Sequence, residues 1–114
     1  MATIQSYRDL VVWQKAMGLA ALCYTKTKPQ IRRAAASIPA NIAEGNGREN
    51  TGSYIQFLRI SQGSLKELET HVILSNTVSL MDKANTEEIL VQCEQVGKLL
   101  RSLIRVLQQK EAQA

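Results

Sequence analysis

The chain has one histidine, His71, placed one helical turn after Glu67. An imidazole beside a carboxylate is the pairing from which general-base or metal chemistry is commonly built. Here the rest of such a site is missing from the sequence. There is no second histidine, no His-Glu-x-x-His spacing and no cluster of cysteines, so His71 reads as a structural residue beside a core stripe. Ser37, Ser61 and Ser64 are candidate nucleophiles by type, but no spacing joins them to a base and an acid. Gly45-Asn46-Gly47 has no preceding strand and lacks the Lys-Ser/Thr ending of a phosphate loop; it reads as a helix end, with Gly45 as a left-handed cap. Cys23 and Cys93 fall in apolar helical stripes and read as small buried hydrophobes, a disulfide between them being the minority reading. The expectation is a protein that is not an enzyme and needs no metal or cofactor.

Two other groups of side chains repeat at helical spacing. Arg33, Ser37, Asn41 and Glu44 form a polar seam opposite Ile31, Ala35, Ile38 and Ile42, while Ala36, Ala40 and Ala43 fill the flank between them. The seam would either bind a ligand or form a paired internal network, and pairing favours a partner on the third helix. Glu67 is the candidate for Arg33, within one subunit or across an interface. Lys98, Arg101 and Arg105 share one outward sector of the last helix and could contact phosphates together; Lys26, Lys28 and Arg32 make a second basic group near the first helix connection. Against that stands the ordinary role of basic residues in solvating a face and complementing a helix C-terminus. The sequence places Trp13, Tyr24, Tyr54 and Phe57 with core positions, leaving no aromatic platform for stacking bases.

The elements that must hold these residues are four helices. The first spans about 7–26, with Ser6 as N-cap, Asp9 closing the capping box, and Leu10, Trp13, Met17, Ala20 and Tyr24 as its core stripe. Val12, Ala16, Leu19 and Cys23 form a second apolar flank, a surplus that argues for subunit contacts. The second spans about 29–45, opens on Pro29 and is interrupted by Pro39, which should kink it. The third, about 51–79, carries Tyr54, Leu58, Ser61, Leu65, Leu68 and Val72 in a heptad-like stripe. The fourth, about 86–108, has Asn85 as N-cap with Glu88, and Ile89, Cys93, Val96, Leu100, Leu103 and Leu107 inward. Residues beyond it, through Ala114, are expected to fray. Short connections between long helices predict one all-α domain over 1–114, an antiparallel up-down-up-down four-helix bundle.

With 114 residues the chain can bury a core without staples. No apolar run approaches the roughly 20 residues of a membrane span, and the N-terminus lacks a signal-peptide pattern. A cytoplasmic location is expected. The formal charge of +4 and pI near 9.3 suit an anionic partner without requiring one.

Three ordered segments resemble a known family: VWQKA from Val12 to Ala16, QIRRAAASIPANIAEGNGREN from Gln30 to Asn50, and GSLKELET from Gly63 to Thr70. Together they are similar to the four-helix-bundle proteins encoded within intervening sequences of bacterial 23S rRNA genes. That resemblance implies a left-handed bundle assembled as a homo-oligomer, often a pentamer. It also implies similarity to accessory proteins of diversity-generating retroelements, which partner a reverse transcriptase and bind nucleic acid. Relatives carry a longer, acidic segment before the QIRRAA motif, where this chain has only TKTKPQ. The shorter connection concentrates Lys26, Lys28, Arg32 and Arg33 into a basic corner. The reading that follows is a non-enzymatic, basic, oligomeric bundle binding RNA, DNA or a ribonucleoprotein. The alternative is a protein-interaction scaffold, for example for a polymerase.

Overall fold

The structure, a computed structural model, describes residues 5–113. Those residues are all-α, with four helices and no strand: α1 (Val11–Lys26), α2 (Pro29–Asn46), α3 (Thr51–Thr77) and α4 (Lys83–Gln113). Each helix packs on its neighbours in sequence, and α1 also packs on α4, closing a four-membered circuit around one core. The 31 residues of α4, at about 1.5 Å each, account for most of the 50 Å long dimension.

The capping box at Ser6 is present but caps a shorter element than expected. The Ser6 hydroxyl accepts from the Arg8 N–H, and the Asp9 carboxylate accepts from the Ser6 N–H at 3.2 Å. These bonds close a 3₁₀ turn, Tyr7–Asp9; Leu10 is then extended, and the α-helix begins only at Val11. Helix α1 is followed by just Thr27 and Lys28 before Pro29 opens α2. A second expectation fails at α4. Asp82, not Asn85, caps it: the Asp82 carboxylate accepts from the Asn85 N–H at 2.7 Å, and the helix starts at Lys83. Both residues are good cap formers, and the one three positions earlier captures the N–H that a first turn leaves open. The helix then continues to Gln113, beyond the expected end near 108, and Ala114 lies outside the described residues.

The core confirms the inward face of α2, where Ile31, Ala35, Ile38 and Ile42 are buried. On α1 the two apolar flanks exchange roles. Val12, Ala16, Leu19 and Cys23 are buried with Leu10 and Ala20, whereas Met17 is 44% and Tyr24 52% exposed and Trp13 is half-buried. The small and branched side chains of the first set let α1 approach the other helices closely, and the bulkier set is left at the margin.

Helices α2 and α3 run antiparallel in a fixed register. Gly45 meets Tyr54 and Phe57, the Ile38 carbonyl accepts from the Ser61 hydroxyl at 2.9 Å, and Ser37 meets Ser64. Gly45 is a helical residue and has no positive φ, so it is not the left-handed cap expected of it. Its role is a close crossing: a Cβ there would lie 2.7 Å from Phe57 Cβ and 3.1 Å from Tyr54 Cδ1. The one positive φ among the described non-glycine residues is that of Ser79, at 65°. It ends α3 in a Schellman arrangement, with Leu80 N–H donating to Ser75 O at 2.8 Å and Ser79 N–H to Asn76 O at 3.0 Å.

Candidate functional site

Half of the polar seam, Ser37 and Asn41, is satisfied inside the protein. The hydroxyls of Ser37 and Ser64 share a hydrogen bond of 2.8 Å, and Asn41 Nδ2 donates to Ser37 O at 2.8 Å and Ser37 Oγ at 3.0 Å. Glu44 leaves this network and pairs with Arg48 at 3.1 Å. Within the subunit, Arg33 and Glu67 form no ion pair. Both are exposed, and the Glu67 carboxylate lies 3.6 Å from His71 Nε2. Two exposed side chains lose little by staying in water, so the short local partner one turn away prevails. Among the described residues, every buried side-chain polar atom has a hydrogen-bond partner, so the interior holds no orphaned group aimed at a ligand.

The same geometry separates the candidate catalytic groups. His71 follows Ser64 by seven residues on α3, about 10 Å of helical rise, too far for an imidazole to take that hydroxyl's proton. Among the described residues no three His, Cys, Asp or Glu side chains gather as metal ligands. Cys23 and Cys93 are free and buried. Burial raises the Cys23 thiol to about 11 and Cys93 to about 12, Cys93 also feeling the charge of Glu69. Thiols held so firmly protonated are poor nucleophiles.

The basic residues occupy two separate regions. On α4, Lys98, Arg101 and Arg105 are exposed. Lys98 lies 3.6 Å from the Glu94 carboxylate, and Arg101 borders the α3–α4 cleft that also contains Lys66, Glu69 and Glu94. At the α1–α2 connection, Lys26 and Lys28 are exposed and Arg32 is half-buried, its Nε donating to Thr27 O at 2.9 Å. The Arg32 guanidinium stands 5.8 Å from the centroid of the Tyr24 ring. No ion pair involves Lys26, Lys28, Arg32 or Arg33 among the described residues, while four of the ten lysines and arginines elsewhere are paired.

Sequence patterning missed the open groove between α1 and α2. Tyr7, Trp13, Met17 and Tyr24 form its walls, and Ala36, Pro39, Ala40 and Ala43 its floor, around a volume of about 450 Å³. Tyr7 and Trp13 meet edge to face, centroids 5.3 Å apart. Three of these side chains had been expected in the core. The signal was present in the surplus of apolar positions on α1, since a helix in a four-membered circuit cannot bury two broad flanks.

The fold is all-α with four helices, and Ser37, Asn41 and Ser64 close a hydrogen-bonded network between α2 and α3. The profile of the 23S rRNA-intervening sequence protein family matches residues 8–102. The chain belongs to that family. A comparison with curated proteins finds no match. No helix among the described residues is long and apolar enough to cross a membrane.

Proposed function

We propose that this chain is a non-enzymatic, basic, homo-oligomeric bundle that binds the phosphate backbone of nucleic acid, alone or within a ribonucleoprotein. The proposal includes an up-down-up-down order for all four helices, a bend of α2 at Pro39, and a cytoplasmic location where such a partner is met. The observation that carries it is the display of exposed cations: Lys26, Lys28, Lys98, Arg101 and Arg105 all reach solvent. Exposed lysine and arginine side chains displace condensed counterions from nucleic acid without reading bases. Self-association, part of the same proposal, would repeat each basic group, so that weak contacts become multivalent. The α1–α2 groove suits that role, because its alanine floor lets another backbone approach closely and its aromatic walls supply apolar area. A pentamer agrees with the resemblance of the sequence motifs.

A second reading draws on the same groove. A different protein, such as a reverse transcriptase, would occupy it, and the chain would then be a scaffold. Neutralising Lys26, Lys28, Arg32, Lys98, Arg101 and Arg105 together separates the two. The first reading expects loss of nucleic-acid binding with the oligomer intact in sedimentation; unchanged binding rejects it and leaves the scaffold.

A further inference from the structure

Charge is divided unevenly along this chain. Between Asp9 and Glu44 lie Lys15, Lys26, Lys28, Arg32 and Arg33 and no acid, whereas the other nine basic residues are outnumbered by ten acids. Four of those five cations fall within eight residues, at the tight turn from α1 into α2. The fold places a cleft there of about 280 Å³, bordered by Thr25, Lys26, Thr27 and Lys28 on one side and Ser75 of α3 on another. The two ammonium groups and the Ser75 hydroxyl are suited to oxygen anions, whereas the Thr25 and Thr27 hydroxyls donate to the Leu22 and Cys23 carbonyls. The neighbouring acid, Asp82, is engaged in capping α4, and Glu87 lies 3.9 Å from Lys83. Arg32, outside that cleft's lining, stands at the same turn. Its Nε bond to Thr27 O and its position by the Tyr24 ring hold the guanidinium, and among the described residues neither terminal amino group has a protein acceptor. A held guanidinium loses less side-chain freedom on meeting a phosphate than a free lysine does.

We infer that this end of the bundle, through Lys26, Lys28 and Arg32, is the principal phosphodiester contact, and that the α4 group is secondary. The inference rests on the proposed nucleic-acid binding and assigns it a place. On α4, Lys98 already faces Glu94, and Arg101 shares a cleft with Glu69 and Glu94. A phosphate arriving there must displace or tolerate carboxylates. At the α1–α2 end it meets none within an ion pair of the cations that would hold it.

The test compares two variants of the full chain by fluorescence anisotropy with a labelled RNA duplex of arbitrary sequence. Counterion release makes affinity vary as salt to about the power −0.9 per contact, so one contact is worth about eightfold at 0.1 M salt. Lys26→Ala/Lys28→Ala is expected to lose about 60-fold in affinity and about two units of the log–log salt slope. Both side chains are exposed, so the variant should melt as the parent does. Arg32→Gln should add a further loss. Lys98→Ala/Arg101→Ala/Arg105→Ala is expected to lose less than the two-site variant despite removing more charge. Parental affinity in the α1–α2 variants, with the larger loss in the α4 variant, overturns the inference and leaves nucleic-acid binding standing. Failure of the parent protein to bind duplex RNA at low salt removes both.

Discussion

Gly45 offers a test in which local preference and tertiary packing pull in opposite directions. Replacing it by alanine removes the helix penalty of glycine, a gain of about 1 kcal/mol for an interior position. The new methyl would, however, sit 2.7 Å from Phe57 Cβ, 3.1 Å from Tyr54 Cδ1 and 3.3 Å from Tyr54 O. Carbon–carbon contacts are most favourable at about 3.5–4.0 Å, so α2 and α3 must separate there by roughly 1 Å. Phe57 Cβ is fixed to the backbone and cannot swing aside. Overpacking of this kind costs about 1–3 kcal/mol, and because the fit is far below contact distance the upper part of that range applies. The net expectation is a destabilisation of about 1–2 kcal/mol, which lowers Tm by roughly 5–10 °C in a domain of this size. Gly63→Ala is the control, since a Cβ at that exposed α3 position meets nothing within 4 Å. It should raise Tm by a few degrees. Thermal melts by circular dichroism at one protein concentration compare them directly. If Gly45→Ala stabilises as Gly63→Ala does, the close α2–α3 crossing is not required and the register built on it is wrong.

Ser79→Gly should stabilise by about 0.5–1 kcal/mol in denaturant titration, because φ of 65° at the end of α3 strains a residue with a Cβ and suits glycine. A loss of stability would mean that the Ser79 side chain does more than occupy the turn. The cysteines predict an alkaline limit. Their folded pKa values, about 11 for Cys23 and about 12 for Cys93, lie above the ordinary 9.0, so the fold holds thiol protons that the unfolded chain releases. Their contribution is complete below the ordinary value and is lost as pH rises from about 9 towards 12, with thiol labelling slow at neutral pH until the chain unfolds. Cys23→Ala/Cys93→Ala should flatten that limb of the stability profile; an unchanged profile assigns the alkaline loss to other groups.

Helix α2 was legible because its faces differ in kind. Isoleucine, short polar and alanine sectors cannot be exchanged, and the buried set of Ile31, Ala35, Ile38 and Ile42 followed directly. Helix α1 was not, because apolar residues surround it and period alone does not choose between the Val12 and Trp13 flanks. Close packing chose, favouring Ala16 and Cys23 for the interior and leaving Tyr24 in solvent. Gly45 was misread for a related reason. Glycine near a helix end usually supplies a left-handed turn, while here it admits α3, a demand that exists only in three dimensions. The polar seam was half legible: Ser37 and Asn41 joined α3 through Ser64, but Arg33 did not reach Glu67, which lies beside His71. For the basic residues, type and exposure could be read in advance. The Glu94 and Lys98 pair stands at a legible i,i+4 spacing, whereas the cleft that Arg101 shares with Glu69 of α3 exists only once the helices pack.

The central claim, that this basic bundle holds nucleic acid by its backbone, is tested most directly by the salt dependence of duplex RNA binding to the unaltered protein. Affinity is expected to fall steeply and linearly in log–log form as salt rises, with the same slope for unrelated sequences. Binding that is absent at low salt, insensitive to salt, or restricted to one sequence would contradict it.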